Sequence, residues 1–176
     1  MKNSVVGEER IAVLMRGMRA PPLIVSPTQQ DEGRRAFQVN DLDVSVDVCA
    51  QEQVGCSIKR LTVRPKRPIS WDPKRTGQAI AKRVTYLLEP LRLIEAAPQW
   101  GTVQVRSSKP WRNNGHVEYF EIVAEDEGAG QVGLSMCRYR ATKGRRGRTP
   151  IPINLTWEAL ERLLSDLSTA LLAEPQ

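Results

Sequence analysis

Side chains able to carry a reaction are few in this sequence. It contains one histidine, His116, and three cysteines, Cys49, Cys56 and Cys137. Any nucleophile–base arrangement would have to use His116. That residue follows an Asn-Gly pair, where a solvated strand start is expected. No Gly-x-Ser-x-Gly elbow and no Cys-x-x-Cys pair occurs. Zinc needs about four converging ligands, and Cys49 and Cys56 have no histidine near them. Asp41, Asp43 and Asp47 share one strand face, but four residues of strand separate Asp43 from Asp47 by about 13 Å, too far for one ion. They are expected to form a water-facing stripe opposing Lys59 or Arg60. Lys143-Gly144-Arg145-Arg146-Gly147-Arg148 is rich in glycine and cations. It joins two strands, however, and has no helix N-terminus to cradle a phosphate. No Walker lysine motif or dinucleotide fingerprint is present. The residues point away from catalysis, with no metal and no cofactor.

Cations and rings suggest another chemistry. From Leu134 to Pro150 there are six basic residues and no acid: Arg138, Arg140, Lys143, Arg145, Arg146 and Arg148. A second stretch, Lys59 to Arg83, has nine basic residues and one acid, Asp72. Lys109-Pro110-Trp111-Arg112 sets an indole between cations. Cations neutralise phosphates and exposed rings stack on bases. The expected ligand is therefore nucleic acid, preferably single-stranded, DNA or RNA. Lys109, Arg112, Arg138, Arg140 and residues 143–148 would meet phosphates, and Trp111 or Tyr139 would stack. The alternative is a protein-interaction or oligomeric adaptor module.

The 176 residues suit one domain or two small ones. The formal charge of +6 is moderate and conceals the two basic stretches. An odd cysteine count argues against a disulfide framework and for a cytoplasmic setting. Signal-peptide features and apolar runs of membrane-spanning length are both lacking, so no membrane partner is expected.

The elements that must position these residues read as α+β. Ile11, Leu14, Met15 and Met18 make one helical stripe over Gly7 to Met18, closed by Pro21-Pro22. Leu23 to Val25 is a short strand candidate. Leu42, Val44, Val46 and Val48 alternate with polar residues, the clearest strand in the chain. Cys56 to Val63 returns as a second strand, and its change of apolar phase predicts a bulge. Asp72-Pro73 starts a helix as N-cap and first turn. That helix is expected to run to Glu89, before Pro90, with a stripe of Ile80, Val84, Leu87 and Leu88. Strands follow at Leu91 to Ala96, Thr102 to Arg106, His116 to Ala124 and Gln131 to Ala141. Asn114-Gly115 supplies a hairpin turn. Pro150-Ile151-Pro152-Ile153 is a short edge-like strand. Thr156 opens the closing helix, with Trp157, Leu160, Leu164, Leu167 and Leu171 along one face. Both halves thus read as antiparallel strands followed by an amphipathic helix. Residues 1–90 and 91–176 would be two packed sheet-plus-helix modules or one integrated domain.

Tyr119-Phe120-Glu121-Ile122, Cys137-Arg138-Tyr139-Arg140, the basic glycine turn, Ile151-Pro152-Ile153 and the helix from Trp157 to Leu164 together resemble a PUR-type repeat. That is a single-stranded nucleic-acid-binding module related in shape to the positive-cofactor-type and Whirly folds. The resemblance covers residues 119–167, and the acidic strand face of the first half departs from it. It implies a curved antiparallel sheet before one helix. It also implies pairing of two modules, within a chain or as a homodimer, and nucleic-acid contact by Arg138, Arg140 and the basic turn.

Overall fold

The computed structural model describes residues 33–39 and 41–173. The helix expected over Gly7 to Met18 and the strand over Leu23 to Val25 lie outside those residues. The rest is a mixed α+β fold. It has ten strands in one antiparallel sheet and two α-helices. The strands are β1 (Gly33–Val39), β2 (Leu42–Gln51), β3 (Gly55–Pro65), β4 (Leu91–Ala97), β5 (Thr102–Ser107), β6 (Trp111–Asn113), β7 (His116–Gly128), β8 (Gln131–Thr142), β9 (Thr149–Ile151) and β10 (Ile153–Thr156). The helices are α1 (Pro73–Arg83) and α2 (Trp157–Leu171).

The sheet runs β1-β2-β3-β8-β7-β5-β4, with β10 added to β3, β9 to β8 and β6 to β7. The two halves of the chain therefore share one continuous sheet, joined where β3 meets β8 and where β10 returns to β3. Pro152 divides β9 from β10. Having no N–H to donate, it ends one pairing and lets the chain cross to the other.

One face of the sheet is apolar. Leu42, Val44, Val46 and Val48 of β2 are buried, as are Leu61 and Val63 of β3, Val132, Leu134 and Met136 of β8, Phe120 and Ile122 of β7, and Val103 and Val105 of β5. Helix α1 packs over β4 and β5, helix α2 over β3 and β10, and the helices touch each other. Leu160, Leu163, Leu164 and Leu167 of α2 join the same core. The opposite face carries the intervening polar residues, and no helix of the described residues covers it. On it Arg34 and Arg60 both oppose Asp47, and Arg64 opposes Asp43. Asp43 and Asp47 thus face cations of the neighbouring strands, and of Lys59 and Arg60 it is Arg60 that opposes Asp47, while Asp41 lies in the turn before β2.

Local signals act as expected at several points. The Asp72 carboxylate accepts from the Lys74 and Arg75 amides, with Pro73 in the first turn. The Thr156 hydroxyl accepts from the Ala159 amide. Asn114 and Gly115 both take positive φ, 43° and 80°, as a two-residue hairpin turn requires. The β2–β3 register shifts on either side of Val48, which is the bulge implied by the apolar phase change.

Helix α1 is shorter than expected, ending at Arg83 rather than Glu89. Val84 leaves helical geometry (φ −83°, ψ 78°) while its amide still donates to the Ile80 carbonyl. Val84 and Thr85 are β-branched and extend readily. Leaving the helix here leads Glu89 into the interior, where Ser107 and Arg138 bind it. Leu88 consequently leaves the apolar stripe and is 81% exposed. β1 was not expected at all, because only Phe37 and Val39 mark it as apolar.

Gly77 sets the distance of α1 from the sheet. A Cβ there would lie 2.5 Å from Val103 Cγ2 and 2.6 Å from Leu93 Cδ1. Helix propensity alone would favour alanine by about 1 kcal/mol, but overpacking costs about 1–3 kcal/mol. Gly77→Ala is therefore expected to lower the urea midpoint despite its better propensity. A raised midpoint would show that α1 can lift off the sheet without loss. No helix of the described residues is long and apolar enough to cross a membrane.

Candidate nucleic-acid interface

The β6–β7 hairpin tip and the β8–β9 turn meet at one end of the sheet. His116 pairs with Thr142 across β7 and β8. The Lys143 amide then donates to the Gly115 carbonyl at 2.8 Å, tying the two loops together. His116 Nδ1 lies 3.1 Å from Thr142 Oγ1 at the same junction. Lys109, Arg112, Lys143, Arg145 and Arg146 are all exposed there. None has an ion-pair partner among the described residues. Residues 109–116 and 142–150 contain no acid. Trp111 stands between Pro110 and Arg112 and is 46% exposed. By register, Arg112 lies across from Val117 on the open face, while Trp111 lies across from Glu118 on the helix-covered side. Cations and indole thus wrap the sheet end.

The other arginines expected to meet phosphate are engaged within the protein. Arg138 follows Val132, Leu134 and Met136 on the helix-covered face, and only 13% of its side chain is exposed. Its Nη2 lies 3.0 Å from Glu89 Oε1 and 3.3 Å from Glu118 Oε2. Its guanidinium stands 5.0 Å from the Phe120 ring centroid, and its Nε is buried with no hydrogen-bond partner. Ser107 completes the arrangement, donating to Glu89 Oε2 and accepting from the Phe120 amide, each at 2.8 Å. Arg140 donates to Glu118 Oε1 through Nε at 2.8 Å and Nη2 at 2.5 Å. Glu89 and Glu118 are 5% and 7% exposed, so the two arginines neutralise carboxylates that burial would otherwise leave without a counter-charge.

Tyr139 and Arg148 join a second cluster, on the open face. Tyr139 opposes Tyr119 across β7 and β8, with ring centroids 6.0 Å apart. Arg148 folds back from the turn and grips Glu121 with both ends, Nη1 at 2.7 Å and Nη2 at 2.6 Å. Its guanidinium lies 3.8 Å from the Tyr139 ring centroid. Arg106 Nε reaches the same Glu121 at 2.6 Å, and Gln104 Nε2 at 3.1 Å. Burial raises the Tyr139 phenol above its ordinary pKa, and the hydrogen bonds that Arg148 donates to Glu121 hold its guanidinium still more firmly protonated. Arg148 is thus a clasp on the sheet face, and Glu121 and Arg106 are members of this cluster that the sequence did not single out. The spacing of Tyr119 and Glu121, i and i+2 on one strand face opposite Tyr139, was the available signal.

The loop of the second basic stretch, residues 66–69, does not reach this end. The Ile69 amide donates to the Gly130 carbonyl, and the Lys66 amide to Asp41. Gly130 precedes β8 and Thr142 ends it, so the length of β8 separates that loop from the basic turn, roughly 35 Å at a strand rise of about 3.3 Å per residue, while Arg60 lies between them, next to Leu61, which pairs with Met136.

Comparison with protein-family models, curated proteins and solved structures finds no match.

Proposed function

We propose that this chain is a non-catalytic binder of single-stranded nucleic acid, acting through the sheet end formed by residues 109–116 and 142–147. The observation that carries this is the contrast among cations. Arg138, Arg140 and Arg148 are each held by a carboxylate. Lys109, Arg112, Lys143, Arg145 and Arg146 remain exposed without one among the described residues, around a half-exposed indole. Cations clustered away from acids raise the potential locally and have charge to give to phosphates. Trp111 offers a ring that can stack on any base, which favours unpaired strands. The resemblance of residues 119–167 to PUR-type repeats points to the same ligand, although Arg138 is assigned here to the interior rather than to the ligand. No disulfide joins the three cysteines to one another, which suits a cytoplasmic setting.

Fluorescence anisotropy with labelled oligothymidine tests the proposal. For a single strand, log affinity falls against log salt with a slope of about −0.7 per phosphate neutralised. Engagement of all five cations would give about −3.5 by that rule. Duplex of equal length should bind more weakly. Absence of binding at ~50 mM salt, the low end of the range where such contacts are strongest, would end the proposal.

A further inference from the structure

We propose that the free edge of β4 is a homodimer interface, in which two copies of the chain pair antiparallel about a two-fold axis between Leu93 and Ile94. Among the described residues β4 is a terminal strand, hydrogen-bonded to β5 alone. An unpaired edge is a template for another strand. Of the five large hydrophobics exposed among the described residues, one lies in β4, Ile94 at 40%, and two flank it in sequence, Leu88 at 81% and Trp100 at 75%.

The bulge in β4 specifies the occupant. Arg92 pairs with Arg106 of β5, Leu93 with Val105 and Glu95 with Gln104, which leaves Ile94 as the extra residue. Without the bulge, Arg92 and Glu95 would point to opposite faces. With it, both lie on the open face. Both are exposed, and neither has an ion-pair partner among the described residues. A bulge normally blunts an edge, but this one makes the edge complementary to itself. The proposed axis sets Arg92 of each copy opposite Glu95 of the second copy, so the ion pair forms twice. Between those pairs Leu93 meets Ile94 of the second copy. An axis through Ile94 itself would set Arg92 against Ala96 and leave both charges unpaired. Isologous contacts of this kind close after two copies. The other terminal strand, β1, contains Arg34 and Arg35 and no acid, and offers no such self-complementarity.

Sedimentation of the full chain tests the register. The wild-type chain is expected to run at twice its monomer mass, and Ile94→Lys at the monomer mass. Arg92→Glu and Glu95→Arg each break two cross-strand pairs and oppose like charges. Each should raise the dimer dissociation constant about tenfold, the equivalent of roughly 1.4 kcal/mol. The double variant Arg92→Glu/Glu95→Arg should restore the wild-type constant. A monomeric wild type overturns the proposal, as does a double swap no tighter than the single variants. Circular dichroism checks each variant, and if Ile94→Lys fails to fold, the charge-swap series at exposed positions decides alone. Residues 109–116 and 142–147 are untouched by all four variants, so oligonucleotide binding is read separately.

Discussion

Arg138→Ala is expected to destabilise the fold by about 3–5 kcal/mol, the range for removing one partner of a buried ion pair. Glu118 would retain Arg140, whereas Glu89 would keep only the Ser107 hydroxyl. A carboxylate 5% exposed with a single neutral donor is an uncompensated charge in a buried site. Urea unfolding followed by circular dichroism measures the loss as a lower midpoint. The double variant Arg138→Met/Glu89→Gln removes both charges and should recover part of it, so the two positions are non-additive. A loss below ~1 kcal/mol for Arg138→Ala, typical of a solvent-exposed pair, would show that water already screens the site.

Arg145→Glu/Arg146→Glu is expected to weaken oligothymidine binding at least tenfold at ~100 mM salt, because it removes two phosphate partners and adds two repelling charges. The slope of log affinity against log salt should become shallower by about 1.4, two contacts at about 0.7 each. Both residues are exposed and unpaired among the described residues, so the thermal midpoint should not move. Arg148→Gln should show the reverse pattern. It unclasps Glu121 and uncovers Tyr139, with its larger effect on stability. Undiminished binding by the Arg145/Arg146 variant would remove the turn from the interface.

The sequence carried the frame of the fold because its strongest signals are local. The alternation of Leu42 to Val48, the Asp72 and Thr156 caps and the Asn114-Gly115 turn each act within a few residues. What was not legible depends on partners far along the chain. Glu89 is drawn inward by Arg138, and that ends α1 early. Arg148 is claimed by Glu121 of another strand. The face of Arg138 was legible, since the period of two from Val132 through Met136 continues onto it. Its positive charge argued for solvent, and only the presence of Glu89 and Glu118 makes burial tolerable. The meeting of the two basic loops depends on the pairing of β7 with β8 and on one hydrogen bond beyond it.

The position of β3 has a consequence for the chain as it emerges during synthesis. β3 has β2, β8 and β10 as neighbours. β2 is available at once, but Leu61 waits for Met136 and Ile58 waits for Ile153. Closing such distant pairings is slow. Until then a half-paired apolar strand is open to other nascent chains. Lys59, Arg60 and Arg64 flank the apolar Leu61 and Val63. In that interval they act as charged gatekeepers, keeping soluble a strand whose last partner is among the last residues made.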